Sequence, residues 1–174
     1  GDDGKQYLFK PQEGWVAHGE AAVSEIGLRA GLNVPRVYVH PYAGEVGSLQ
    51  ELLPNARAGF PGPASGFNPA MVSKADIHAL QDHRALDWLV GNHDSHAGQF
   101  IRTGYAKDGA QVIGIDKGQA FKYFGKDQLS YTYHPNGVFG EARPVHNLIE
   151  EAYARNELPD GVFNVYTRAM STQG

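Results

Sequence analysis

Cysteine is absent from the 174-residue chain, which excludes disulfide bridges, thiol catalysis and cysteine zinc sites. No run approaches the roughly 18 apolar residues that a membrane-spanning helix needs, and the first residues given do not predict a signal peptide. The 15 lysines and arginines are scattered singly and are outnumbered by 19 acidic residues, which argues against a nucleic-acid-binding protein. These absences favour a soluble globular protein. Its compartment stays open, because the bacterial cytoplasm and delivery into a host or target cell are both compatible with them.

The composition that remains is that of an ordinary globular domain, with 41% hydrophobic and 20% charged residues. The length suits one domain, or two small lobes that fold together. Hydrophobic periodicity predicts a strand over residues 6–10, a helix over 18–30, a strand ending at Tyr42 and a short apolar segment over 47–53. Residues 54–69 contain seven glycines or prolines and predict an irregular connection.

The second half of the chain is expected to be mainly helical. Ser73 and Asp76 form a capping-box pattern that predicts a helix over 74–90. Its buried residues are predicted to be Ile77, Leu80, Trp88 and Leu89. A turn at residues 108–109 predicts a hairpin between strands near 100–101 and 112–115. Residues 123–143 are expected to form a loop, and Pro144 is expected to begin a helix that buries Leu148, Ile149, Ala152 and Tyr153. A short last helix is predicted over 162–170.

The densest polar cluster is GNHDSHAGQ, residues 91–99, placed between the predicted helix and a strand. Asp94 lies in this cluster, and Asp116 follows 22 positions later at the end of an apolar strand. Two carboxylates on neighbouring loops suit divalent-cation phosphate chemistry, because one can orient an acceptor hydroxyl while the other holds magnesium.

Five segments resemble a known family of enzymes. DWLVGNHDSH (87–96) is similar to the GN-x-D-x-H type catalytic loop of the phosphatidylinositol 3-/4-kinase-like clan, and IGIDKGQAF (113–121) resembles its metal-binding segment, commonly IDNGLAF. YLFKP (7–11) resembles the strand that carries the ATP-binding lysine. Residues 19–35 resemble the following helix and turn, and GSLQ (47–50) resembles the strand that enters the hinge. HipA-type and actin-fragmin kinases share this layout.

The resemblance implies a minimal protein-kinase-like α+β fold with two lobes. Residues 1–53 would form a small N-terminal lobe of sheet and helix, 54–72 a connecting segment, and 73–174 a reduced helical C-terminal lobe. It implies ATP and magnesium as cofactors and a role for five residues. Lys10 would hold the α- and β-phosphates, Glu20 would pair with it in competition with Glu13 and Glu25, Asp94 would orient the acceptor, and Gln99 and Asp116 would bind magnesium.

Three features depart from the family pattern. Gln99 stands where the family has the shorter Asn, and Lys117 is a cation beside the metal-binding aspartate, where it is expected to face solvent or to contact phosphate. Nine residues precede Lys10, too few for the two strands and the Gly-rich loop that usually come before that lysine. We therefore expect either a trimmed chain or a reduced nucleotide-binding roof.

The predicted function is phosphoryl transfer from ATP to a protein Ser/Thr hydroxyl by an enzyme of effector or toxin type. The acidic balance argues against an anionic lipid acceptor, although a phosphoinositide kinase is an alternative. A nucleotide-binding pseudokinase is a second alternative. A metal-dependent hydrolase is a third, with a His/Asp ligand set. That set would be drawn from His83, His93, Asp94, His96 and Asp116. His93 and His96 are otherwise expected to orient the loop by hydrogen bonds.

Overall fold

The computed structural model describes residues 4–59, 68–92, 94–103, 111–122, 145–159 and 161–162. Within these residues the fold is α+β, as predicted, with three α-helices and two three-stranded antiparallel sheets. The helices are α1 (Gly14–Arg29), α2 (Lys74–Val90) and α3 (Val145–Ala154). The strands are β1 (Tyr7–Pro11), β2 (Val37–Tyr42), β3 (Glu45–Glu51), β4 (Arg57–Ala58), β5 (Phe100–Thr103) and β6 (Gln111–Gly114).

The first sheet has the strand order β1-β3-β2 and lies against α1. Paired residues of antiparallel strands project from the same face, so Lys10 and Val39 share the face of Ser48, which pairs with both of them. The Ser48 side chain is fully buried against α1. The register of the sheet therefore directs Lys10 toward that helix.

Helix α1 begins four residues earlier than the predicted start at residue 18. Its first turn closes because the backbone N–H groups of Val16 and Ala17 donate to the Glu13 carbonyl, at 2.9 and 3.1 Å. Gly14 and the exposed Trp15 give no periodic or capping signal in the sequence, which explains the late prediction. Ala17 and Val23 are fully buried and carry the apolar face of the helix.

Helix α2 has the predicted bounds, but two of its predicted core residues are wrong. Ser73 Oγ accepts from the Asp76 N–H at 3.2 Å and the Ser73 N–H donates to Asp76 Oδ2 at 2.6 Å, so the capping box is present. Ile77 and Leu80 are buried as predicted, whereas Trp88 and Leu89 are 36% and 46% exposed. At 3.6 residues per turn, these two lie off the buried stripe of the helix. That stripe consists of Asp76, Ile77, Leu80, His83, Leu86, Asp87 and Val90.

The second sheet has the order β4-β5-β6 and contains the predicted hairpin, with Phe100 paired to Gly114 and Thr103 to Gln111. The turn predicted at residues 108–109 lies outside the described residues. The segment expected to be irregular supplies β4, where Ala58 pairs with Ile101. A two-residue strand carries too little periodicity to be recognised from sequence.

Two clusters of buried apolar residues hold the elements together. The larger cluster joins α2, α3 and the second sheet, and includes Ile77, Phe100 and Leu148. The smaller cluster joins Val23 of α1 to Leu86 and Val90 of α2 and to Ala120. This smaller cluster therefore packs α1 against α2 and the segment that follows β6.

Helix α3 confirms the helix predicted to begin at Pro144, with Leu148, Ile149 and Ala152 buried and Tyr153 partly buried against the larger cluster. Pro144, the loop predicted over 123–143 and most of the last predicted helix, 162–170, lie outside the described residues. In the described part of the chain, no helix combines the length and apolar character needed to cross a bilayer.

Candidate active site

Glu20 lies on α1 with its side chain only 2% exposed, where it pairs with the ammonium of Lys10 from β1. The other carboxylate oxygen of Glu20 accepts from Ser48 Oγ at 2.7 Å and from Gln12 Nε2 at 2.9 Å. A buried carboxylate requires such partners because burial otherwise disfavours its charge. The structure thus selects Glu20 as the partner of Lys10 and gives Glu25 a different one, since Glu25 pairs with exposed Arg29 at 2.6 Å.

Asp116 follows β6 and brings a third segment of the chain to Lys10. Its Oδ1 lies 3.6 Å from Lys10 Nζ, and its side chain is 54% exposed. Asp116 has a backbone φ of +53°, a left-handed conformation that is uncommon for residues other than glycine. Backbone strain of this kind concentrates at functional sites. Lys10, Glu20 and Asp116 therefore meet around one ammonium group, although they come from a strand, a helix and a strand end.

Asp94 lies in the loop that follows α2 and is held by its neighbours. Its Oδ2 accepts from Gln99 Nε2 at 3.0 Å, and its Oδ1 lies 3.6 Å from His96 Nε2. Its backbone N–H donates to Asn92 Oδ1 at 3.3 Å. His96 also accepts the Gly98 N–H at 3.0 Å, which agrees with the predicted orienting role of this histidine. His93 lies outside the described residues.

Gln99 links the Asp94 loop to the Asp116 segment through its main chain. Its carbonyl accepts the Ile115 N–H at 2.8 Å, which places Gln99 beside the residue that precedes Asp116. The Gln99 side chain is 5% exposed, and its amide nitrogen is engaged by Asp94, so the amide oxygen is the atom with metal-binding chemistry. The structure therefore brings Asp94, Gln99 and Asp116 to adjoining segments.

Beneath the site lies a buried polar network that the sequence did not predict. Lys117 was expected to face solvent or phosphate, but its side chain is 4% exposed and its Nζ donates to Asp87 Oδ1 at 2.9 Å and Oδ2 at 3.2 Å. Asp87 also accepts from Asn92 Nδ2 and from Ser95 Oγ, both at 2.8 Å. One signal in the sequence could have placed Asp87 inside. Its spacing from Ile77 and Leu80 follows the period of a helix, so the three residues share one face of α2.

Burial alone would raise the pKa of the Asp87 carboxyl, but the Lys117 ammonium and the Asn92 amide outweigh that effect and hold the pKa below its usual range. Asp87 is therefore charged.

For two buried histidines, burial outweighs the neighbouring charges that would raise their pKa values, so both are neutral. Burial first and the Lys117 charge second lower the pKa of His83 to about 4. Burial, together with the charges of Arg84 and Lys117, lowers the pKa of His146 to about 3 against the opposing effect of Asp87.

His83, a candidate metal ligand of the hydrolase alternative, lies in the protein interior. Its Nε2 accepts the backbone N–H of Gly114 at 3.1 Å, inside the protein. A Cβ at position 114 would lie 2.5 Å from the His83 ring, so only glycine leaves room for this contact. Among the residues that the structure describes, no three His, Asp, Glu or Cys side chains come together as a metal site.

Comparison with solved structures gives a match to CtkA, a proinflammatory kinase of Helicobacter pylori. The TM-score is 0.52 and the sequence identity is 17%, over 67% of this chain and 52% of that one. The fold is kinase-like. The first sheet with α1 is the small sheet lobe, and α2, α3 and the second sheet form the reduced helical lobe.

The chain spans about half the length of that kinase, 52%. Neither the comparison with protein-family models nor the comparison with curated proteins gives a match. The likeness to CtkA therefore bears on the fold, and the chemistry is argued from the residues of the site.

Proposed function

We propose that this chain transfers the γ-phosphoryl group of ATP, in the presence of magnesium, to a hydroxyl group. The observation that carries the proposal is the position of the Lys10 ammonium between Glu20 and Asp116 on a kinase-like fold. Kinases use a strand lysine paired with a helix glutamate, next to a metal-binding aspartate, to position the nucleotide phosphates.

Each side chain has a role that suits its surroundings. Lys10 would bind the α- and β-phosphates, and Glu20, which is fixed by Ser48 and Gln12, would hold the ammonium in place. Asp116 is half exposed beside Lys10, so its carboxylate is accessible to a cation. Carboxylate and amide oxygens suit magnesium, and Asp116 with the Gln99 amide oxygen offers both. Magnesium, when bound, neutralises charge on the phosphates.

Asp94 would orient the hydroxyl that accepts the phosphoryl group. Gln99 holds its Oδ2 and Asn92 holds its backbone N–H, so the carboxylate has a fixed direction. We assign its other oxygen, Oδ1, to the acceptor hydroxyl. Catalysis would then rest on position and charge neutralisation, because phosphoryl transfer asks little covalent chemistry of the protein.

The acceptor is proposed to be a protein serine or threonine. The chain has a net charge of -4, and its lysines and arginines are scattered singly along the sequence, which disfavours an anionic lipid surface as the acceptor. A small kinase of effector or toxin type agrees with this acceptor. The matched H. pylori protein, described as a proinflammatory kinase, supports this class of function.

A nucleotide-binding pseudokinase is the second candidate, and one contact favours it. The buried Gln99 side chain donates a hydrogen bond to the Asp94 carboxylate. In the absence of substrate, the proposed metal ligand and the proposed acceptor-orienting residue are therefore bonded to each other. A protein that binds ATP without transferring phosphate would retain the Lys10–Glu20 pair and would not depend on Asp94.

The test is transfer of label from γ-labelled ATP with magnesium to the chain itself, a cell lysate and phosphoinositide vesicles. We expect labelled protein with wild type and a fall of roughly 100-fold or more with Asp116→Asn, since such electrostatic groups contribute 10²–10³ to kcat. Lys10→Met should raise the KM for ATP. Lys5→Met is the matched control, because Lys5 makes an exposed ion pair with Glu51 at 2.6 Å and should leave activity unchanged.

The outcomes separate the candidates. Label on vesicles in place of protein would identify a lipid kinase. ATP binding that is lost in Lys10→Met, without transfer to any acceptor, would identify the pseudokinase. A chain that neither binds ATP nor transfers phosphate would overturn the proposal.

A further inference from the structure

Lys117 and Asp116 are consecutive, yet their side chains lie in opposite environments. The Asp116 side chain is 54% exposed beside Lys10, while that of Lys117 is 4% exposed and paired with Asp87, which is completely buried. The Lys117 ammonium also lies 5.1 Å from the centroid of the Phe100 ring. Lys117 therefore anchors the Asp116 segment to the interior of the protein.

Asp87 connects that anchor to the loop that carries Asp94. Its two carboxylate oxygens accept from Asn92 and Ser95 as well as from Lys117. Asn92 in turn contacts the backbone of Asp94 on both sides of the residue, through the N–H at 3.3 Å and the carbonyl at 3.4 Å. A continuous chain of hydrogen bonds, buried as far as Asn92 and partly buried beyond it, thus runs from Lys117 through Asp87 and Asn92 to Asp94.

Stability alone is a weak explanation for this ion pair. Buried ion pairs lose much of their mutual attraction to desolvation, and apolar residues of similar size often replace them without cost. What an apolar pair would not reproduce is direction: the Asp87 oxygens accept three donors from two segments at once, each at hydrogen-bond distance. The fixed directions of these bonds can set the separation of the two segments.

We infer that Lys117 is a positioning residue. Through Asp87 and Asn92 it holds Asp116 at a fixed distance and orientation relative to Asp94. The inference rests on the proposed function, because it assigns these contacts to the alignment of a metal-binding carboxylate with an acceptor-orienting one. Because the Lys117 ammonium is buried against Asp87, we assign it no direct contact with phosphate or acceptor. Its effect is exerted through the two aspartates, where small displacements lower the rate steeply.

The variant that tests the inference is Lys117→Met, which retains the length of the side chain and removes its charge. Met leaves Asp87 buried without its cation, so a second variant combines Lys117→Met with Asp87→Asn and leaves no unpaired charge. Arg102→Met is the matched control. Arg102 and Asp76 form another buried ion pair, at 2.8 Å, but this pair ties β5 to the start of α2.

Two measurements are made on each variant. Amide hydrogen exchange of residues 92–95 should accelerate in both Lys117 variants and stay at the wild-type rate in Arg102→Met. In both Lys117 variants the kcat should fall by roughly 10- to 100-fold, the loss typical when a residue that orients a metal ligand is replaced. The KM for ATP should change by less than about twofold. Combining Lys117→Met with Asn92→Ala should lower kcat little further, because both act through Asp87.

The exchange measurement does not require catalysis, so it separates this inference from the proposed function. Wild type without phosphoryl transfer, but with faster exchange in the Lys117 variants, would refute the proposed function and support the coupling. Unchanged exchange over 92–95 in the folded variants would overturn the inference, whether or not wild type is active. A kcat loss of equal size in Arg102→Met would also overturn it, because general destabilisation would then explain the effect.

Discussion

The rings of His83 and His146 both make edge-on contacts with Phe100, with centroids 5.5 and 6.5 Å from the Phe100 centroid. Both side chains are almost completely buried, and burial lowers their pKa values to about 4 and about 3. His83 must be neutral for its Nε2 to accept the Gly114 N–H. The two rings are therefore uncharged parts of the interior at neutral pH, although histidine in water titrates near pH 6.5.

We predict that stability falls as the pH is lowered from 7.5 to 5.5. In this window the unfolded histidines bind protons and the folded ones do not, so each histidine lowers the free energy of unfolding by about 1 kcal/mol. The fall continues until the pH reaches the folded pKa values, about 4 and about 3. Urea midpoints measured at several pH values test this.

The matched variants for this prediction are His83→Gln and His40→Gln. His40 is exposed on β2, so its replacement should leave the pH dependence as in wild type. His83→Gln should reduce the slope between pH 7.5 and 5.5. Equal slopes in wild type and His83→Gln would show that His83 does not remain neutral in the folded protein.

At the scale of elements, α2 shows both what the sequence can predict and where it fails. Its bounds follow from local signals, the Ser73–Asp76 capping box and Gly91, which adopts a φ of +63° at the helix end. Its buried face does not, because polar Asp87 is inside and apolar Trp88 is partly exposed. Hydropathy cannot identify a buried charge whose partner, Lys117, lies 30 residues away.

The resemblance to kinases located the candidate site residues better than composition could. Lys10, Glu20 and Asp116 lie together in the structure, as the order of the motifs implied, although their functional roles stay predictions. Lys117 could not be placed, because the same sequence position fits solvent, phosphate or the interior. The missing information was tertiary: which carboxylate the ammonium would meet.

The start of α2 gives the prediction at this scale. Ser73→Ala should lower the free energy of unfolding by about 1 kcal/mol, because it removes one cap hydrogen bond. Asp76→Ala should cost more, about 3–5 kcal/mol, because it also leaves Arg102 buried without its carboxylate. Urea denaturation measures both. Similar losses in the two variants would contradict the assigned role of the Arg102 pair.

At the scale of the whole molecule, the candidate site lies where the two lobes meet. Lys10 and Glu20 belong to the first sheet and α1, whereas Asp116 and Asp94 follow elements of the other lobe. Val23, Leu86 and Ala120 belong to an apolar cluster that joins the two lobes. The boundary predicted over 54–72 stays a prediction, although β4 within it pairs with the second sheet.

Because the site draws on both lobes, nucleotide and magnesium should stabilise the entire protein together. A non-hydrolysable ATP analogue, added at 100 times its own Kd in the presence of magnesium, should add about 2.7 kcal/mol to the free energy of unfolding and raise the Tm. Asp116→Asn should lose the magnesium-dependent part of the shift and retain the rest. Thermal unfolding with and without magnesium measures this, and Lys5→Met should behave as wild type. A shift independent of magnesium would argue against Asp116 as a ligand.

The left-handed backbone at Asp116 limits how this protein can diverge. Glycine, asparagine and aspartate adopt that conformation most readily, while β-branched residues are strongly disfavoured. A lineage that lost the need for a carboxylate here would retain the backbone turn most cheaply through asparagine or glycine. In a related sequence, asparagine or glycine at position 116 would therefore indicate that the proposed metal-binding carboxylate was lost while the backbone conformation was kept.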